Sequence, residues 1–220
     1  MRINKYIAQA TGHSRRSADK LIEQKQVRVN GELPQPGHDV TDTDTVTLDG
    51  QPLSLHDSHT TIALNKPVGY VCSRDGQGSQ TIYDLLPVKY TRLKPVGRLD
   101  KDSSGLILLT DDGDLAHKLT HPSFEKTKVY DVVLSRALTE ADQQAIKTGI
   151  ALEDGISRLT LNGAERTWTV YMHEGRNRQI RRTFEAAGYQ VTGLHRVEFG
   201  EYILEDLKPG EYQEVVPKKA

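Results

Sequence analysis

The feature that most constrains this chain is a polar loop that empties directly into an unbroken apolar run. Gly97-Arg98-Leu99-Asp100-Lys101-Asp102-Ser103-Ser104-Gly105 is followed at once by Leu106, Ile107, Leu108 and Leu109. Closed by the turn signal Asp111-Asp112-Gly113, the run reads as a buried strand fed by a charged loop. Such a loop leaves Asp100 close to the sheet core with cationic neighbours. That environment keeps a carboxylate ionised while removing much of its water, which suits a nucleophile or a base. Taken alone, the same charges more often make a salt-bridged turn, so the assignment depends on other segments.

One such segment is Glu174-Gly175-Arg176-Asn177-Arg178-Gln179-Ile180-Arg181-Arg182, where Gly175 ends a strand and a helix follows. Ile180, Phe184 and Ala187 mark the buried face of that helix, while Arg178 and Arg182 lie four apart on a solvent or ligand face. Arg181 lies between them and can reach inward, where a guanidinium could pair with a buried carboxylate in forked geometry, leaving the outer arginines for phosphates. A solvated basic helix end is the alternative. A third segment, Lys128-Val129-Tyr130-Asp131-Val132, alternates as a strand, with Lys128, Tyr130 and Val132 on one face. A tyrosine there can stack on a nucleobase or move a proton, although sheet packing is its commoner use.

Charge is segregated along the chain although 29 basic and 30 acidic residues nearly cancel. Residues 1–31 hold Arg2, Lys5, Arg15, Arg16, Lys20, Lys25 and Arg28 against Asp19 and Glu23, an excess of five positive charges. Residues 38–57 hold Asp39, Asp42, Asp44, Asp49 and Asp57 with no Lys or Arg, so this part should turn away from a polyanion. Ile3, Tyr6, Ile7 and Ala10 fall at helical spacing, and Ser14 can cap a second helix striped by Ala18, Leu21 and Ile22. Val27 and Val29 then alternate into the turn Asn30-Gly31, and a short strand runs through Val46 and Leu48 to Asp49-Gly50.

These elements form a first domain over 1–55, and residues 53–60 read as a linker. A second domain over 61–220 carries expected strands at 61–65, 69–73, 105–110, 128–135, 166–173 and 190–203. Its helices are expected near 80–86, 113–120, 139–148 and 177–187. Strands in runs rather than strict alternation make the class α+β with a mainly antiparallel or mixed sheet. Hydrophobic residues make up 36% and charged ones 27%, with no run of about 20 apolar residues to span a membrane and no secretory signal, so the expectation is a cytoplasmic globular protein. A single cysteine, Cys72, excludes an internal disulfide, and the eight histidines form no ligand spacing, so no metal is expected.

Together the segments resemble the bacterial ribosomal RNA pseudouridine synthases of the RsuA family, which begin with an S4-like RNA-binding domain. Arg2 to Gly31, with Ser14-Arg15-Arg16, is similar to the S4 pattern. Leu64-Asn65-Lys66-Pro67, Gly97 to Gly105, Lys128-Val129-Tyr130 and Gly175 to Arg182 are similar to the catalytic motifs, in order. The resemblance implies an S4-like domain followed by a catalytic domain with a mixed, mainly antiparallel sheet flanked by helices. It implies Asp100 as the essential aspartate, Tyr130 as the tyrosine packed on the target base, Arg181 as the basic partner of Asp100, and Arg98 as a residue holding the opened RNA.

The partner so implied is ribosomal RNA or a pre-ribosomal particle, bound by a monomer without membrane or cofactor. Arg15, Arg16, Lys20 and Arg28 are the expected backbone contacts of the first domain, with Lys66, Arg178 and Arg182 in support. Thr183 departs from the pattern, where relatives often carry a larger apolar residue, and a long basic tail is missing after Ala220. The rival reading is a non-catalytic RNA-binding assembly factor, which would need none of Asp100, Tyr130 and Arg181. A glycosidase is weaker still, because Asp102 sits only two residues from Asp100.

Overall fold

The computed structural model describes residues 1–55 and 59–216. Residues 56–58 of the expected linker, Asp57 of the acidic segment and the last residues to Ala220 lie outside them. The chain divides into two compact units, Met1–Thr60 with Asp111–Gly113, and Thr61–Thr110 with Asp114–Ala220.

In the first unit α1 (Ile3–Thr11) and α2 (Arg15–Glu23) precede a small antiparallel sheet of β1 (Val27–Val29), β2 (Val46–Leu48) and β3 (Gln51–Pro52). The Ser14 hydroxyl accepts from Ser17 N at 3.0 Å, the cap expected of that residue. Ile3, Ile7, Ala18, Val27, Val29, Val40 and Val46 make its core. Asn30 and Gly31 both adopt positive φ and fold Val29 onto Glu32, after which β1 pairs with β2. Part of the acidic segment has a structural use. The Asp44 carboxylate accepts from Thr41 N and Thr41 Oγ1, both at 2.8 Å, and from Asn30 Nδ2 at 2.7 Å. These bonds hold its pKa down to about 2, led by the backbone N–H of Thr41.

The second unit is built on one sheet whose main path runs β10 (Thr160–Ala164), β11 (Thr167–Met172), β7 (Lys128–Leu134), β12 (Val191–Phe199), β6 (Ser104–Thr110), β4 (Thr61–Lys66), β14 (Tyr212–Glu214). Two short strands join it from the side, β5 (Lys94–Pro95) on β6 and β13 (Tyr202–Ile203) on β12. Only β12 and β6 run parallel among the described residues; the other pairs are antiparallel. The apolar run 106–109 is buried on both sides. Ile107 and Leu109 face a large core with Ile62, Leu64, Val132, Ile180 and Phe184, and Leu106 and Leu108 face a second with Ala63, Leu115, Leu119 and Phe199.

Helix α3 (Gly113–Thr120) supplies Leu115 and Leu119 to the second core, and α5 (Gln179–Ala186) supplies Ile180 and Phe184 to the first. Between them in the chain stand α4 (Glu140–Thr148) and a two-stranded ribbon, β8 (Ile150–Leu152) with β9 (Gly155–Ser157).

Several expected elements differ. Residues 69–73 form no strand; Val71 makes one isolated bridge to Thr81, while Gly69 and Cys72 spend their hydrogen bonds on the loop 99–101. The helix near 80–86 is a 3₁₀ turn, Ile82–Leu85, closed by the capping box of Thr81 and Asp84. The run 190–203 is broken by a turn at Gly200 into β12 and β13. Strands β8, β9, β10 and β14 lie where no strand was expected; they are short, and β8, β9 and β10 carry mostly exposed or partly exposed residues, so apolar alternation is weak in them. Thr183 is fully buried: its hydroxyl donates to Gln179 O and pairs with Ser157 Oγ, both at 2.8 Å. A polar anchor to β9 takes the place of the apolar side chain expected there.

Candidate active site

The loop that opens the apolar run is held on one side by the last residue of β4 and the segment that follows it. Lys66 Nζ donates to Ser103 O at 2.5 Å and to Pro67 O at 3.0 Å, Gly69 N donates to Lys101 O at 2.7 Å, and Cys72 Sγ lies 3.3 Å from both Leu99 N and Leu99 O. Backbones of residues 99, 101 and 103 are thereby fixed on one side. The side chains of Asp100 and Asp102 meet arginines on the other. Lys66 is therefore not an RNA contact: it is fully buried, and burial pushes its ammonium pKa down while Cys72, Asp100 and Asp102 oppose that shift. Removing it strands two carbonyls. Lys66→Met is expected to lower stability by about 2 kcal/mol in urea unfolding and to slow turnover, with KM for RNA unchanged. A raised KM with unchanged stability would restore the RNA-contact reading.

The pairing across the loop corrects the expected partner of Asp100. Arg178 Nη1 stands 3.7 Å from Asp100 Oδ2, and the same guanidinium grips Asp102 with two bonds of 2.9 Å. That fork holds the Asp102 carboxyl below its usual pKa, with Arg181 adding to it. Arg178 reaches the loop from a left-handed backbone position, φ 48°, one residue before α5 begins, rather than from the face of the helix. Arg181 instead sits behind the loop. It donates to Asp102 O at 2.7 Å and Val191 O at 3.0 Å, and its Nε lies 3.3 Å from Asp102 Oδ2. It braces the backbone next to Asp100 rather than pairing with Asp100.

Arg182 is likewise engaged by protein, with Asp154 Oδ2 at 2.7 Å and Asn177 O at 2.8 Å. Arg176, which the sequence did not single out, binds Asp154, Gly155 O and Ile156 O, so the two arginines pin the β8–β9 turn.

A cavity of about 590 Å³ opens over Asp100 at the ends of β7, β11 and β12. Tyr130 lies in its wall, 8% exposed, beside Met172, Ile180, Leu194 and Phe199. Six Lys or Arg side chains line it against two carboxylates, so the cavity favours an anionic ligand. Arg98 is exposed in the lining.

Two further cations stand in that wall, Arg196, which the sequence does not mark, and Lys128, which it places on the Tyr130 face of its strand. Arg196 is 2% exposed, paired in register with Tyr130; its Nε donates to Leu106 O at 2.7 Å, its guanidinium lies 4.7 Å from the Phe199 ring centre, and its Nη2 has no hydrogen-bond partner among the described residues. A lone arginine in a strand gives no signal of burial. Lys128 stands 5.5 Å from the centre of the same ring, and its pKa is pushed down by burial and then by Arg196. In the first unit Arg15, Arg16, Lys20 and Arg28 are all exposed, with Arg15 bound to Asn4 Oδ1 and Arg28 to Gly31 O.

No helix among the described residues is long and apolar enough to cross a membrane. Residues 60–186 match the model of RNA pseudouridylate synthase, and residues 1–46 match that of the S4 domain. The ribosomal small subunit pseudouridine synthase A of Pasteurella multocida is 37% identical, over 97% of this chain and 95% of its own. The ribosomal large subunit pseudouridine synthase B of Bacillus subtilis is 35% identical, over 98% of this chain and 92% of its own. The crystal structure of a pseudouridylate synthase, 33% identical, superposes with a TM-score of 0.70 over 98% of this chain and 96% of that one. With a cavity built on Asp100 and Tyr130 and a match that spans both units, this chain belongs to the RNA pseudouridine synthases of the RsuA type, enzymes that carry an N-terminal S4 domain.

Proposed function

We propose that this enzyme isomerises uridine to pseudouridine in ribosomal RNA, with Asp100 as the catalytic carboxylate. The observation that carries the reading is the placement of Asp100 in the cation-rich cavity beside Tyr130, on a loop whose backbone is braced from both sides. The reaction breaks the N1–C1′ bond, turns the uracil and joins C5 to C1′; the proton on C5 leaves and N1 gains one, so composition is unchanged. Attack of the carboxylate on C1′ and removal of the C2′ proton both begin from ionised Asp100, and neither needs a cofactor.

The target uridine must leave its stack to reach a carboxylate inside a cavity. Tyr130 supplies a ring for the extruded base, Arg98 and Arg178 supply charge at the mouth, and Arg181 keeps the loop in place. Residues 1–55 act as the RNA-holding domain through Arg15, Arg16, Lys20 and Arg28, with salt-dependent affinity, and 61–220 as the catalytic domain. The enzyme works as a monomer in the cytoplasm, on ribosomal RNA or a pre-ribosomal particle.

Small- and large-subunit RNA transcripts, each tritiated at uridine C5, test the reading separately. Release of tritium from one of them is expected. Silence from both, and from partly assembled particles, would leave only an RNA-binding factor.

A further inference from the structure

One cluster of aromatic side chains, which reaches the cavity through His121, has no step assigned to it in the isomerisation. His117 near the end of α3, His121 after it and Phe124 on the next 3₁₀ turn pack their rings together: the two imidazoles lie 4.8 Å apart, and Phe124 stands edge-on to them at 5.8 and 6.3 Å. All three are exposed, Phe124 by 43%. Three aromatic rings gathered in water are an unusual use of surface, because ring area gains most when it is covered. The His121 ring is held by Ser123 N, which donates to its Nδ1 at 3.3 Å, and Pro122 sets φ at the first position of the turn that carries Phe124.

The cluster adjoins the reacting centre. His121, Thr120 and Pro122 line the same cavity as Asp100. A methyl placed on Gly97, in the loop that carries Asp100, would sit 3.8 Å from Thr120 Cγ2. Arg98 and Lys128 lie in the same lining, so a ring-bearing polyanion meets both of its requirements there, a stacking face and positive charge. The cavity exceeds what one uracil ring fills and falls in the roughly 300–1,000 Å³ range that holds drug-sized ligands.

We infer that His117, His121 and Phe124 form a stacking platform for an unpaired base that neighbours the target uridine in the RNA. The inference rests on the isomerase reading and adds a second contact to it: one base enters beside Tyr130 and its neighbour is held at the rim. Stacking accepts any base, so the platform selects an opened loop rather than a sequence.

The test uses the full chain and the C5-tritiated ribosomal RNA that it modifies, prepared intact and with an abasic residue on the 5′ or the 3′ side of the uridine. Phe124→Leu keeps apolar volume without the ring, and His121→Ala removes the ring at the cavity edge. Each variant is expected to raise KM about tenfold with kcat retained, and an abasic residue on the stacked side should erase the gap from wild type. Unchanged KM in both variants would overturn the inference, as would a gap that survives abasic substitution on either side. Loss of tritium release by the wild type would instead bring down the isomerase reading, and the platform with it.

Discussion

Asp100→Asn is expected to bind its RNA about as tightly as wild type in a filter-binding assay while turnover falls by roughly four orders of magnitude or more. The two side chains have the same shape, and the architecture around the site does not depend on the Asp100 charge. Arg178 keeps its two 2.9 Å bonds to Asp102, Arg181 keeps Asp102 O and Val191 O, and the Lys66 and Cys72 contacts fall on the backbone of Ser103 and Leu99. What the amide cannot do is act as a nucleophile or accept a proton at the sugar. Binding and chemistry therefore separate in this one variant. A parallel loss of both would mean that Asp100 serves the fold.

Gly105→Ala is expected to cost about 4 kcal/mol or more of stability, a large loss for one added methyl. Gly105 adopts φ +104°, and a Cβ on it would lie 2.2 Å from Arg196 O, 2.5 Å from Arg196 N and 2.9 Å from Arg196 C. Backbone of a central strand cannot give way as a flexible side chain can. The clash falls on the parallel junction of β6 and β12, where Ser104 and Gly105 meet His195 and Arg196. Gly12→Ala is the control. Gly12 also has positive φ, +77°, but open space around it, so only the backbone penalty of about 1–2 kcal/mol applies. Urea midpoints of the two variants should differ accordingly, and equal losses would contradict a steric clash at the junction.

Much of this molecule is legible in its residues because local and global preferences agree. The run Leu106–Leu109 has one stable use, a strand covered on both faces, and Ser14, Asn30-Gly31 and Asp111-Asp112-Gly113 punctuate the chain by mechanisms that need no tertiary context. Pattern alone left Asp100 and Tyr130 open to a salt-bridged turn and to sheet packing, and the resemblance singled them out; the fold places both in the lining of one cavity.

Pairing was less legible. The register of α5 against the loop is set by the left-handed turn at Arg178, and no periodicity reveals which carboxylate each of the four crowded arginines will face. Lys66 stands in the sequence as a supporting RNA contact or a turn residue beside Pro67; only the fold shows the two carbonyls that it binds inside. Arg196 and the rings at 117, 121 and 124 were silent for a similar reason, since their meaning lies in neighbours distant in sequence or brought together by a turn.

The most direct test of the central claim is to look for the product itself. Ribosomal RNA lacking the modification is incubated with wild type or with Asp100→Asn, digested to nucleosides and separated by chromatography. Pseudouridine formed by the wild type and absent with Asp100→Asn is the predicted result. Pseudouridine formed equally by both would contradict the assignment of Asp100.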